Sequence, residues 1–214
     1  MATALSDVDI CNMALDLLRQ NASITSIDDP SSDVEDLAAR WYDTTRQGLL
    51  RSHPWNFARK RILLSRNSTD PISGYPDAYN LPVDFLRLLF IGDNYNDEYE
   101  WEYSIEGGQI LIDNEGGDSL EIGYIYDMAN VPQFDPLFKQ LLAVELAVVF
   151  ANAITGINKG LKDVYTLKKE LEMRVRAING QENPVKVRYR STFIGARRNA
   201  TRSGTTDGQH LFVQ

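Results

Sequence analysis

The chain predicts an α+β fold: a four-helix bundle interrupted between its second and third helices by an antiparallel β insertion, and followed by an extended C-terminal arm. Three observations predict it. A 3.6-residue apolar period runs through residues 6–52; short alternating runs rich in Tyr and Ile, punctuated by Gly and Pro, occupy residues 55–127; and the helical period returns at Asp135. The bundle is assigned to residues 1–54 and 129–183, the β insertion to 55–128 and the arm to 184–214.

The first helix starts at Ser6, an N-cap residue, with Asp7 and Asp9 in the first turn where the helix dipole favours anions, and runs to about Gln20. Ile10, Ala14, Leu17 and Leu18 form its apolar face. A connection over 21–30 carries the apolar pair Ile24 and Ile27. The second helix follows the Ser31-Ser32 cap and is stopped after Ser52 by Pro54; its expected buried stripe is Val34, Leu37, Ala38, Trp41, Thr45 and Leu49.

Strands are predicted at 57–64, 84–91, 100–105, 109–113 and 119–126, with turns at Gly107-Gly108 and Gly116-Gly117 and a loop over 67–82. Turns this short should join antiparallel neighbours. Asp135-Pro136 places an N-cap and a first-turn proline at the start of the third helix, which runs to about Ile154 and is apolar nearly all round, as a central helix should be. The fourth helix is expected from about Lys159 to Ile178, with Val164, Leu167, Lys168, Leu171, Val175 and Ile178 on one side and Asn179-Gly180 at its end.

With 43% hydrophobic and 24% charged residues the 214-residue chain can bury a core, as one domain or one domain with an insertion. The longest apolar run, 141–151, is broken by Glu145 and falls short of the ~18 residues of a membrane span, so no membrane partner is expected. Two Asp near the start, with no apolar run after them, argue against a signal peptide. The single Cys11 excludes an internal disulfide and reads as a small buried residue.

The net charge of −8 argues against a surface that clamps nucleic acid by its phosphates. Its distribution is blocky. Residues 1–36 hold eight acids and one base, 40–66 seven bases and one acid, 91–127 eleven acids and no Lys or Arg, and 185–214 six bases and one acid. Blocks of alternating sign suit a molecule whose parts meet different partners or copies of itself. Arg59, Lys60 and Arg61 are therefore candidates for charge contacts between subunits; as a DNA patch three cations are a small footprint.

Catalytic patterns are weak. His53, at a helix end, suits capping a carbonyl, and His210 lies in the arm, so neither joins a nucleophile. Residues 156–160 lack the spacing of a phosphate loop, and 93–97 lack the ligands and glycine of a calcium loop. No metal or cofactor is implied. Glu100 and Glu102 share one face of a predicted strand about 7 Å apart, beside Trp101 and Tyr103, which admits a glycan hydrolase as the alternative function. The simpler reading makes them a solvent face, with Trp101 and Tyr103 pointing inward.

Several stretches together resemble a family. Residues 9–18 (DICNMALDLL), 24–30 (ITSIDDP), 49–58 (LLRSHPWNFA), 79–87 (YNLPVDFLR) and 134–138 (FDPLF) resemble the head-to-tail adaptor proteins of short-tailed bacteriophages, the tail tubular protein A group. The resemblance covers roughly residues 6–180, and His53-Pro-Trp-Asn-Phe-Ala is its most specific part. Where the family has Leu-Gly after the first helix, this chain has Leu18-Arg19, which bears on the geometry of that turn.

The resemblance implies a virion protein without enzymatic activity, working as a ring of twelve copies between the portal protein and the tail nozzle protein. Genomic DNA passes through the lumen of such a ring, and an acidic lumen lets phosphates slide. It also implies assembly in the host cytoplasm. From the residues themselves, a bulky aromatic pair just after the helix stop makes Trp55, Asn56 and Phe57 the expected junction of bundle and β insertion. On the adaptor reading, Arg188, Arg190, Phe193, Ile194, Arg197 and Arg198 in the arm contact the portal or a neighbouring subunit.

Overall fold

A computed structural model describes residues 5–72, 74–92, 101–154 and 161–182. Its fold is α+β: α1 (Asp7–Leu17) and α2 (Asp33–Ser52) precede six strands, and α3 (Pro136–Ile154) and α4 (Leu161–Glu182) follow them. The strands are β1 (Arg59–Ser65), β2 (Asp77–Asn80), β3 (Phe85–Ile91), β4 (Tyr103–Glu106), β5 (Gln109–Ile112) and β6 (Ser119–Tyr126).

The Ser6 hydroxyl accepts from the Asp9 N–H at 3.2 Å and the Ser6 N–H donates to the Asp9 carboxylate at 2.8 Å, a reciprocal cap that fixes the start of α1. That backbone hydrogen bond, followed by the one from the hydroxyl, holds the Asp9 carboxyl below its usual range. Ile10, Cys11, Ala14 and Leu15 are buried, so the face is rotated toward Cys11 and Leu15 from the expected Leu17 and Leu18, which are half-buried. The helix ends at Leu17, short of Gln20. Arg19 takes φ +55, the Arg19 N–H donates to the Asp16 carbonyl and the Gln20 N–H to the Leu15 carbonyl. This is the left-handed C-terminal turn that glycine favours, made here with a side chain. Arg19→Gly is expected to stabilise the fold by about 0.5–1 kcal/mol, by removing the Cβ penalty, as a rise in thermal midpoint.

The connection to α2 is pinned from both helices. Asn12 donates to the Ile24 carbonyl at 2.9 Å and accepts from the Ile24 N–H at 2.8 Å, which buries Ile24. Glu35, buried, accepts from the N–H and hydroxyl of both Thr25 and Ser31, at 2.7–2.8 Å. These donors hold its carboxyl far below the ordinary 4.5, the backbone bonds from Thr25 and Ser31 first. A group depressed in the folded state stabilises fully above its unfolded pKa and loses that contribution as pH falls toward the folded value. The thermal midpoint should therefore drop more steeply below about pH 5 in the native chain than in Glu35→Gln, which starts lower at neutral pH. Parallel pH profiles of the two would remove Glu35 from this role.

The buried face of α2 is Glu35, Ala38, Tyr42, Arg46, Leu49 and Leu50. It corrects the expected stripe: Val34, Leu37 and Thr45 are half-buried and Trp41 is 39% exposed. An apolar-pattern argument passes over Glu35 and Arg46, yet both are inside because each has partners there.

The third helix is central as predicted. Asp135 caps it, accepting from Leu137 and Phe138 N–H groups at 2.8 and 3.3 Å, and α1, α2 and α4 all pack on it. Among the described residues it is the one helix long and apolar enough to cross a membrane; here it is the core of the bundle, with Glu145 paired to Lys168 of α4 at 2.9 Å. Helix α4 buries Val164, Leu171 and Val175, whereas Leu167 is 40% exposed. It runs through Asn179-Gly180 to Glu182, past the predicted end, because the Asn179 side chain is engaged elsewhere in the fold.

The strands form two three-stranded antiparallel sheets, in the orders β1-β6-β3 and β2-β5-β4. The first shares a core with the helices through Ile125, Met128, Leu86 and Leu89; the second closes a separate cluster around Tyr79, Ile110, Ile112 and Ile122. Strand β2 lies inside the segment expected to be a loop; it is four residues long, and Asp77 and Asn80 disguise it. The Gly107-Gly108 turn joins β4 to β5 as expected. The Gly116-Gly117 turn does not join a pair: it carries the chain from the second sheet into the first.

The reason for that crossing is a buried carboxylate. Asp77 accepts from the N–H groups of Asn114 and Gly116 at 2.9 and 3.2 Å and meets Arg66 Nε at 2.7 Å. The Tyr79 hydroxyl, which donates to the Gly117 carbonyl, holds the turn from the other side, and Glu115 and Gly116 take positive φ. The strand predicted at 57–64 starts two residues later, after a 3-10 turn over Asn56–Ala58, and that predicted at 100–105 is observed as β4.

Candidate functional site

The segment His53 to Ala58 lies where the helices meet the first sheet. His53 ends α2 in an extended conformation, and Pro54 prevents a further helical turn. Trp55 then turns inward to 2% exposure. Its Nε1–H donates to the Leu49 carbonyl at 2.9 Å, one of the acceptors that the end of α2 leaves free. Its ring meets Phe138 edge-on at 5.1 Å and His53 at 4.8 Å; Phe57 packs on Phe138 at 4.9 Å and on Phe134 at 6.0 Å.

Asn56 fastens the far end of α4. Its N–H donates to the Asn179 Oδ1 at 3.0 Å and its side-chain amide to the Asn179 carbonyl at 3.1 Å. The Asn179 amide donates in turn to the Pro54 carbonyl at 3.2 Å and lies 2.9 Å from His53 Nε2. Burial, then the nearby Arg176, Arg59 and Arg87, lower the His53 pKa, which favours the neutral ring able to accept that amide hydrogen. Trp55, Asn56 and Phe57 thus bring α2, α3, α4 and β1 to one point. The cavity beside them, between Asp135 and Val175, holds about 40 Å3. That is room for one or a few waters and not for a substrate.

The cations that follow have partners within the chain. Lys60 pairs with Asp84 at 2.6 Å and sits over the Tyr126 ring at 3.8 Å. Arg61 is 3.8 Å from Glu121 and stacks on Phe90 at 4.9 Å, and Arg59 donates to the Pro54 carbonyl at 3.2 Å. Lys60 and Arg61 remain about half exposed, so their pairs are weak and open to exchange for other acids.

Glu102 is exposed just ahead of β4; Glu100, the other carboxylate of the expected pair, lies outside the described residues. Trp101 packs partly against the second cluster, whereas Tyr103 is 45% exposed, against the expectation that it points inward. Cys11 is fully buried in the helical core, where burial pushes its thiol up to about 12 and makes it inert. Arg188, Arg190, Phe193, Ile194, Arg197, Arg198 and His210 lie outside the described residues.

Two features escape sequence reasoning. Arg46, 3% exposed, donates to Asp127, to the Met128 carbonyl and to Asp43, tying α2 to the end of β6. Only the long-range pairing reveals it, although a lone Arg on a buried helical face is a signal. The second is the uncovered row Tyr103 and Ile105 on β4, at 45% and 43% exposure. No family model matches the chain, and no curated protein matches it.

Proposed function

We propose that this protein is a head-to-tail adaptor of a short-tailed phage, a structural virion component that forms a ring, of twelve copies by the resemblance, between the portal and the tail nozzle. One observation carries the reading: each stretch that resembles the adaptor family contributes side chains that hold this fold together. Asn12 of the first stretch bonds Ile24 of the second. Trp55 and Phe57 of the third pack on Phe138 of the last. Tyr79 of the remaining stretch is buried and bonds the Gly117 carbonyl. The resemblance is therefore one of scaffold. The position where the family carries glycine, Arg19, has the left-handed backbone that glycine favours.

A scaffold of this kind acts through its surfaces. The opposite charge blocks supply complementary faces for head-to-tail contacts that close into a ring. The basic arm adds contacts to the portal or a neighbour. Negative-stain images of the full chain mixed with the phage's portal are expected to show a rotationally symmetric collar. Deleting residues 185–214 should abolish the collar while the remaining chain keeps a cooperative melting transition. A chain that leaves portals bare, and turns over a polysaccharide as a solitary particle, would overturn the reading.

A further inference from the structure

We infer that residues 185–190 of one copy add as a fourth strand to the exposed edge of β4 in the next copy. The inference rests on the adaptor reading for its second copy and on the geometry of β4 for its site.

Strand β4 is an edge. Among the described residues it pairs only with β5, in the register Tyr103 with Ile112, Ser104 with Leu111, Ile105 with Ile110 and Glu106 with Gln109. The two-residue turn at Gly107-Gly108 makes Glu106 and Gln109 the hydrogen-bonded closing pair, so the alternation of the ladder directs the N–H and C=O groups of Tyr103 and Ile105 away from β5. Such a row of free donors and acceptors is a template for another strand.

The two faces of β4 differ. Tyr103 and Ile105 stand on the face of Ile110 and Ile112, which are fully buried, yet they are themselves nearly half exposed. The apolar inner face of the sheet thus extends one strand beyond what covers it. The other face presents Glu102, Ser104 and Glu106.

Residues 185–190 read Val-Lys-Val-Arg-Tyr-Arg. They alternate strictly, with Val185, Val187 and Tyr189 on one side and Lys186, Arg188 and Arg190 on the other. Laid beside β4, the apolar side prolongs the row of Tyr103 and Ile105, and the basic side meets the acids. Charge also selects this edge over the outer edge of β1, which carries Arg59, Lys60 and Arg61 and would repel it.

The test uses peptides of residues 183–194, each with one substitution (Lys186→Cys, Val187→Cys, Arg188→Cys, Tyr189→Cys or Arg190→Cys), mixed with the full chain carrying Ser104→Cys under mild oxidation. The native Cys11 is buried and stays silent. Mixed disulfides are expected at one or more of 186, 188 and 190 and about ten-fold less at 187 and 189, the two-residue period of a docked strand. Reversing the charge of the peptide (Lys186→Glu, Arg188→Glu, Arg190→Glu, with the cysteine at whichever even position cross-links best) or of the edge (Glu102→Lys, Glu106→Lys) should lower the yield about ten-fold at low salt. Equal yields at odd and even positions, or indifference to both reversals, overturn the inference. Collars that form on portals as readily from the Glu102→Lys, Glu106→Lys chain also overturn it and leave the adaptor reading standing. Peptide docking in a chain that never forms collars overturns the adaptor reading instead.

Discussion

Trp55→Ala is expected to lower stability by about 3–5 kcal/mol, a fall of roughly 10–15 °C in the melting temperature of a chain this size. Three losses combine. The indole is almost wholly removed from solvent, so its deletion leaves a cavity between Phe138 and His53. The Leu49 carbonyl loses one of its two donors and keeps the Ser52 hydroxyl. Phe57 loses a neighbour that holds it on Phe134 and Phe138. Trp55→Phe separates these effects: it keeps an aromatic ring in place, loses only the Nε1–H, and should cost about 1 kcal/mol beyond the small change in volume. Calorimetric melts of the two variants check both figures. If Trp55→Ala melted with the native chain and still assembled, the segment would have no part in holding helices to sheet.

Arg46→Ala should cost about 3 kcal/mol, roughly 6–12 °C in melting temperature. The guanidinium is buried while its acids are not: Asp127 is 27% exposed and Asp43 72%. Removing the cation therefore leaves Asp127 partly solvated and still bonded to Gln47 at 2.7 Å, which places the cost at the lower end for a broken buried pair. The Met128 carbonyl, by contrast, loses its buried donor outright. Arg46→Met fills the same volume without charge and should recover part of the loss. A double-mutant cycle with Asp127→Asn should return a coupling above about 1 kcal/mol that 0.5 M salt barely changes, since the contact is shielded from ions. A coupling that vanished in salt would mark the contact as a surface pair.

Local signals were readable wherever the chemistry is local. Ser6, Ser32 and Asp135 announce three helix starts because a cap acts within three residues of itself. The all-round apolarity of α3 announced a helix buried on every side. Of the site, the sequence pointed to Trp55, Asn56 and Phe57 through an aromatic pair beyond a helix stop. Their partners were not visible, because Asn179 and Phe138 lie more than eighty residues away along the chain. Strand β2 was hidden for the opposite reason: its Asp77 is a poor strand former, held in place by Arg66 and by the turn it organises.

By itself, then, the sequence determined the order of the elements, the α+β class, the helix caps, the central position of α3 and the burial of Cys11. All of these follow from residue spacing and from interactions that close within a turn or two. The tertiary structure decided which strands are neighbours, because Asp77 and Tyr79 take the Gly116 turn across from one sheet to the other. It also decided which polar residues could be buried, since Glu35 goes inside only where the folded connection brings Thr25 and Ser31 onto it, and Arg46 only where Asp127 and Met128 meet it from the end of β6. And it decided which apolar residues stay outside: Tyr103, expected to point inward, and Ile105 beside it remain open because, among the described residues, β4 is the last strand of its sheet.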